Sequence, residues 1–219
     1  MGRTIVIGDI HGCFDELSDL LDLVALQLDD RVVAVGDLIV KGPKNRAVLD
    51  LFIDDKRFSS VIGNHDRALR QHWRGEPVSL TQAQEATRAE LEFDRERYSN
   101  YLQSLPFIID LGSHLVVHAG VRPGVPLDRQ MAADLTELRT MGANPTSSRG
   151  VPWYAVYRGE KIVLFGHWPR AKPARARRAI GLDTGCVYGG QLTAYIIETD
   201  QFVGVRARRT YEQPKRQLR

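Results

Sequence analysis

The chain has 219 residues, 43% of them hydrophobic, 26% charged and 8% aromatic. These are the fractions of an ordinary globular domain, and they exclude disorder, collagen-like repeats and a coiled coil. Two cysteines, Cys13 and Cys186, make neither a disulfide framework nor a four-thiolate zinc site, and no apolar run approaches the ~18 residues of a membrane span. The net charge of +3 is unevenly divided: from Arg170 onward 11 Lys and Arg face 4 Asp and Glu, a balance of +7, whereas the preceding part carries −4. A basic C-terminal part can attract an anionic ligand, although a solvated surface loop followed by a tail gives the same composition. The expectation is one soluble, cytoplasmic domain over 1–208 with a flexible tail over 209–219. Its thiols would be reduced, and no membrane association or stable nucleic-acid partner is expected.

In chain order, Thr4-Ile5-Val6-Ile7 is a β-branched run closed by Gly8 and predicts a buried strand. Apolar residues then recur at Phe14, Leu17, Leu20, Leu21, Val24 and Leu28, the spacing of an amphipathic helix. Arg31 to Val35 repeats the strand pattern and ends at Gly36, and Gly42-Pro43 opens a helix running through Phe52. Ser60-Val61-Ile62 predicts a third strand, closed by Gly63 and followed by a helix near Arg67. Strand, loop and helix recurring in this way argue for an α/β fold with parallel strands. Thr81 to Leu105 is polar and helix-prone and predicts a helical insert. Beyond Pro106 the segments 107–111, 115–117, 162–165, 179–182, 192–197 and 202–205 predict strands, enough for a second sheet packed on the first, in an α+β arrangement. Residues 142–152 predict a loop.

The chemistry lies in short polar clusters placed just after apolar strands: Gly8-Asp9-Ile10-His11-Gly12, Gly36-Asp37, Gly63-Asn64-His65-Asp66, His118-Ala119-Gly120 and Gly166-His167. In an open α/β sheet the loops beyond the carboxyl ends of strands gather at one edge, where sites form. Taken singly, each of these residues is common turn or capping chemistry. Together they place four of the six histidines in strand-end loops, leaving His72 and His114 as structural residues. A set of carboxylates, imidazoles and one amide without thiolate suits divalent transition metals. Asp37 can bridge two ions, with Asp9 and His11 on one and Asn64, His118 and His167 on the other. Paired ions ~3.5–4 Å apart clamp a phosphoryl oxygen and the attacking oxygen of an in-line displacement, so hydrolysis of a phosphoester or phosphoanhydride is the expected reaction. Phosphate-loop, dinucleotide-binding, zinc-protease and serine-elbow motifs are absent.

These motifs, with Lys41-Gly42-Pro43 after Asp37, resemble in content and order the signature of the PPP-type metallophosphoesterases over residues 5 to about 200. Within that superfamily, Phe165-Gly166-His167-Trp168 and the run from Leu182 to Thr193 resemble the symmetrical diadenosine tetraphosphatases, and the run from His118 to Leu127 is similar to the ApaH-like phosphatases. The resemblance implies a calcineurin-like two-sheet β-sandwich flanked by helices. It also implies two divalent ions (manganese first, then cobalt, nickel, iron or zinc) on the six ligands named above. His65 would protonate the leaving oxygen and Lys41 would grip phosphate. The implied reaction is cleavage of diadenosine tetraphosphate to two ADP by a metal-bridging hydroxide, with a small nucleotide as the partner molecule; the alternative is a serine/threonine or dual-specificity phosphoprotein phosphatase with the same metal site. Protein phosphatases of the superfamily usually carry Asp-Arg where this chain has Val40-Lys41. That Asp would orient the catalytic His, so His65 needs another partner, for which the adjacent Asp66 is the candidate. Arg139 is the candidate for a second phosphate contact.

Overall fold

The computed structural model describes residues 2–214. The first half alternates strands and helices: β1 (Thr4–Ile7), α1 (Phe14–Leu23), β2 (Arg31–Ala34), α2 (Asn45–Asp54), β3 (Phe58–Ser60), α3 (Asn64–Trp73), then the helix pair α4 (Gln82–Leu91) and α5 (Arg95–Ser104). The second half is mostly strands: β4 (Ile109–Asp110), β5 (His114–Val116), a short α6 (Ala132–Glu137), β6 (Thr140–Met141), β7 (Val151–Pro152) and α7 (Trp153–Val156). It ends with β8 (Ile162–Phe165), β9 (Ala174–Ala176), β10 (Ala179–Gly181), β11 (Gln191–Ile196) and β12 (Gln201–Arg206).

Two five-stranded sheets result, ordered β12-β11-β1-β2-β3 and β4-β5-β8-β10-β9, with β6 and β7 pairing as a small hairpin. β1, β2 and β3 run parallel, as the strand–loop–helix repeats predict, while β11 and β12 join antiparallel on the other side of β1. Side chains alternate across each strand, and the burial pattern follows that alternation. Val6 and Val33 from the first sheet meet Val116, Leu164 and Ile180 from the second, and these residues fill the sandwich. Ile5, Ile7, Val32 and Ala34 point the other way, into a core shared with Leu17 and Leu20 of α1 and Val48, Leu49 and Phe52 of α2. On the far side of the second sheet, Val163 and Phe165 pack against Leu135, Leu138 and Trp153. Cys13 and Cys186 are free and buried in the first of these helix-lined cores.

The helical insert is a pair, α4 and α5, linked by a single 3-10 turn at Glu92–Asp94. It is fastened to the body by Tyr98, whose buried ring donates its hydroxyl to Asp50 Oδ1 at 3.0 Å. β3 pairs through Phe58–Ser60, two residues before the apolar Val61 and Ile62 that predicted it. Val61 and Ile62 are fully buried and run past the end of the ladder, the Val61 N–H still donating to Ala34 O at 3.2 Å and the Ile62 N–H to Pro106 O at 2.9 Å. Of the segment expected to be a tail, residues 215–219 lie outside the described residues. Tyr211 is bonded to the body: its N–H donates to Val187 O at 3.0 Å and its hydroxyl to Glu16 Oε1 at 2.7 Å. Among the described residues no helix is long and apolar enough to cross a membrane.

Candidate metal centre

Each cluster singled out in the sequence sits where a strand delivers it. Asp9 and His11 follow β1, Asp37 follows β2, and Asn64 and His65 open α3 after β3; His118 follows β5 and His167 follows β8. The first three loops belong to one sheet and the last two to the other, so the site spans the seam of the sandwich. Local backbone is tightly wound there. His11, Asp37 and His167 have φ of 50°, 50° and 65°, and Val40 and Lys41 follow at 80° and 76°. Such angles disfavour side-chain-bearing residues and are held only where surrounding structure enforces them. The glycines let the loops close together: a Cβ at Gly166 would lie 1.9 Å from Asp9 Oδ1, and one at Gly36 would lie 2.6 Å from the Gly63 nitrogen.

Asp37 is the centre of the arrangement. Its Oδ2 lies 3.5 Å from His11 Nε2 and 3.5 Å from His118 Nε2, and its Oδ1 accepts the His65 N–H at 2.9 Å. Its carboxylate belongs to two groups whose donor atoms all fall within 4.8 Å of one another, one with His11 and His65 and one with Asp9 and His118. Asn64 Oδ1 stands 3.0 Å from His118 Nε2 and 2.9 Å from His167 Nδ1, and Asp9 accepts the His167 N–H at 3.1 Å. The six expected ligands therefore converge.

Two imidazoles are held with their proton turned away. His11 Nδ1 lies 3.2 Å from the Ile39 carbonyl and His118 Nδ1 lies 2.9 Å from the Val35 carbonyl. A carbonyl only accepts, so each Nδ1 carries the hydrogen and each Nε2 turns a lone pair toward Asp37. Burial holds both rings neutral, His118 down to about 4 and His11 well below the imidazole range. Burial also lowers His65 and His167, and His167 Nε2 is buried without a protein partner. The carboxylates shift the other way. Burial pushes Asp37 up to about 6 against the pull of Lys41, and burial with the charges of Asp183 and Asp37 raises Asp9 well above its ordinary range. Carboxylate oxygens facing imidazole lone pairs at these distances form an electron-rich cluster that needs cations to be stable. The donor set fits divalent transition metals.

The cationic candidates also reach the site. Lys41 Nζ lies 3.1 Å from His11 Nε2 and 5.3 Å from the centre of the Tyr188 ring. Arg139 donates to the His167 carbonyl at 3.2 Å, and its desolvated guanidinium feels Asp183, Asp9 and Asp37. Of the basic stretch after His167, Arg170 stays close, its N–H donating to Asp183 O at 3.1 Å and its guanidinium lying 4.6 Å over Trp168. Arg175 turns outward to Asp200 and Arg178 to the Glu160 carbonyl.

Asp66 is placed differently from its expected role. It is fully buried and accepts from the backbone N–H groups of Gly63 at 3.0 Å, Leu38 at 3.3 Å and Ile39 at 3.4 Å, which binds the second and third signature loops together. The group facing the His65 ring is instead Gln84, Nε2 to Nδ1 at 3.4 Å. Gln84 comes from the insert, where the sequence marks it only as the N3 residue of a helix capping box with Thr81. Asp183 is a second addition: burial pushes it up to about 6, and its neighbours include Lys41, Asp37 and Arg139. It lies two residues beyond β10, at a strand end like the other candidate residues.

Known proteins bear on this centre. A profile of the calcineurin-like phosphoesterases matches residues 2–205. Bis(5'-nucleosyl)-tetraphosphatase PrpE (asymmetrical) of Bacillus subtilis (strain 168) is 28% identical over 96% of this chain and 97% of its own. The protein of the same name from Geobacillus thermodenitrificans (strain NG80-2) is 30% identical over 86% of this chain and 88% of its own. A crystal structure provisionally described as a diadenosine tetraphosphatase superposes with a TM-score of 0.78 at 33% identity, covering 94% of both chains. A yeast serine/threonine phosphatase superposes at 0.67 with 16% identity, covering 98% of this chain and 82% of its own, and shares the fold. With nearly its whole length matched and its strand-end clusters gathered on one edge, the chain belongs to the calcineurin-like phosphoesterase family, a metal-dependent class of hydrolases.

Proposed function

We propose that this phosphoesterase hydrolyses a phosphoanhydride bond of dinucleoside tetraphosphates. The observation that carries the reading is Asp37, whose Oδ2 lies 3.5 Å from the Nε2 atoms of both His11 and His118. Asp9, His11 and Asp37 would hold one divalent ion, and Asp37, Asn64, His118 and His167 the other, with manganese the first candidate. When bound, such a pair supplies Lewis-acid activation of water and of the attacked phosphoryl oxygen.

The protein's own residues do the remainder. Lys41 and Arg139 hold the negative charge of the phosphate chain, Asp66 keeps the two signature loops in register, and His65 meets the leaving oxygen. A tetraphosphate bridge carries charge well beyond the attacked phosphate, and Lys41, Arg139 and Arg170 form a cationic border suited to it. The sequence resemblance implied a cut between the middle phosphates to give two ADP, whereas the curated relatives carry the designation asymmetrical in their names. We take the outer cut, giving ATP and AMP, as the reading that full-length relatives support. The nucleotide is soluble, and two free buried thiols accord with a reducing cytoplasm.

The test is a comparison of diadenosine tetraphosphate with a phosphoserine peptide at one manganese concentration and one ionic strength, with chromatography of the products. ATP and AMP in equal amounts, with kcat/KM higher for the dinucleotide, are expected. A higher kcat/KM for the peptide would replace this reading with the phosphoprotein one, and two ADP would restore the middle cut.

A further inference from the structure

Position 40 is Val, fully buried, so it gives the His65 ring no carboxylate partner, and Asp37 of the same loop accepts the His65 backbone N–H rather than a ring proton. What reaches the ring is an amide. Gln84 sits in the first turn of α4 and is itself buried. Its Oε1 accepts the Thr81 N–H at 2.8 Å and stands 3.1 Å from the Thr81 hydroxyl. A backbone N–H can only donate, so the oxygen end of the amide is pinned to Thr81 and the nitrogen end faces His65 Nδ1 at 3.4 Å. An amide NH2 can only donate in turn. His65 Nδ1 must therefore offer a lone pair, and its hydrogen resides on Nε2.

The direction of this bond decides what His65 can do. A carboxylate partner would accept from Nδ1–H and support a doubly protonated ring, which can give its Nε2 proton away and remain neutral. With a donor on Nδ1, the ring can offer a hydrogen bond from Nε2, but giving up that proton would leave it anionic. Leaving groups differ in which they need. When water attacks a phosphoanhydride, the new P–O bond forms from the water oxygen and the bridging P–O bond breaks. The departing nucleotide keeps the electron pair as a phosphate oxyanion, a weak base whose conjugate acid has a pKa of about 6, and the proton of the water passes to solvent. Such an oxyanion needs only a hydrogen bond. The alkoxide leaving a phosphoserine is far more basic and needs a whole proton.

We propose that Gln84 is the positioning residue of His65, that it holds the ring as the Nε2–H tautomer in place of the carboxylate missing at position 40, and that this arrangement biases the enzyme toward phosphoanhydrides over alkyl phosphoesters. The inference rests on the substrate reading above, yet it is tested separately, because it concerns a ratio between variant and wild type rather than the wild-type preference. Long-range proton–nitrogen NMR on histidine-labelled, zinc-loaded protein should show His65 with hydrogen on Nε2 and Nδ1 as acceptor, the signal being assigned by its loss in His65→Gln. Gln84→Glu restores an acceptor at nearly the same shape. It should raise the ratio of kcat/KM for a phosphoserine peptide to that for diadenosine tetraphosphate by about tenfold or more, through kcat rather than KM. Hydrogen on His65 Nδ1 in the wild type, or an equal effect of Gln84→Glu on both substrates in a protein that melts normally, overturns the proposal. If Gln84→Glu fails to fold, the wild-type tautomer decides alone.

Discussion

Asp37 concentrates the consequences of single-residue change. Its Oδ2 lies at equal distance from the Nε2 atoms of His11 and His118, so one side chain serves two halves of the centre. Asp37→Asn removes the charge but keeps the size. It should drop the manganese content of purified protein below one ion per chain and cost more activity than the ~10–100-fold that follows loss of a group merely supporting a ligand. Wild-type activity in that variant would remove the two-ion reading. The raised carboxylates give a second expectation at this scale. Asp37 and Asp183 retain protons up to about 6, and a metal must displace them, whereas the lowered imidazoles offer no such competition. Affinity should therefore weaken as pH falls through 6, by about tenfold per pH unit for each proton displaced, and titrations at pH 7.5 and 5.5 measure it. A pH-independent affinity would mean that neither carboxylate is a ligand or a neighbour of one. Asp37 was legible in sequence, like Asp9, His11, Asn64, His118 and His167, because it stands in a short polar cluster at a strand end, whereas Asp183 was not singled out. Gln84 and the turn of Asp66 toward backbone were not, since contact between the insert and α3 is made only in three dimensions.

Among the secondary-structure elements, β8 shows how little room the loops have. A methyl at Gly166 would meet Asp9 Oδ1 at 1.9 Å and Val35 Cγ2 at 2.6 Å. Gly166→Ala should push Asp9 from its place and lower metal content, while the circular dichroism of the sheets stays that of the wild type. Full metal occupancy in that variant would show that Asp9 can move without loss. Most elements were readable from periodicity: the strand at Ile162–Phe165 coincides with its predicted bounds, and the insert is helical as its polar, helix-prone composition suggests. The failures have physical causes. β3 uses Phe58-Ser59-Ser60, whose serines hide the strand, and the buried Val61 and Ile62 just beyond imitate one. β9, Ala174–Ala176, is an edge strand of small and charged residues, and β7 lies inside a Gly- and Pro-rich loop. Neither carries an apolar pattern, because neither buries a face.

For the whole molecule, the feature with most bearing on the site is that its proposed ligands come from two sheets. Asp9, His11, Asp37 and Asn64 ride on the first, His118 and His167 on the second. Ions bound across that seam tie the sheets together only in the native state, so they stabilise by mass action. Chelation should lower the melting temperature, and manganese at 100 times its dissociation constant should add about 2.7 kcal/mol. A melting temperature indifferent to chelator would show that the native state holds no ion at this seam. The two-layer architecture was inferable from the number of strand-like segments after Pro106, and the family resemblance named it. The docking of Tyr211 onto Glu16 and Val187 was not foreseen, since the charged composition around it reads as tail.

The antiparallel join of β1 to β11 has a consequence for how the chain reaches this state. Ile5 lies opposite Ile196, and Ile7 opposite Ala194, so the second residue to occupy many of these pairings is made almost a full chain length after the first. During synthesis β1, β2 and β3 can associate early, but β1 then presents an open backbone edge until β11 emerges. Closing that edge is a loop closure over nearly the whole sequence, and folds dominated by such distant pairings are slow to complete and exposed to aggregation meanwhile. A chain ending at Gly189 holds every residue of the metal centre, yet it should gather in the insoluble fraction, because the strand that bears Asp9 and His11 would be left at a raw edge.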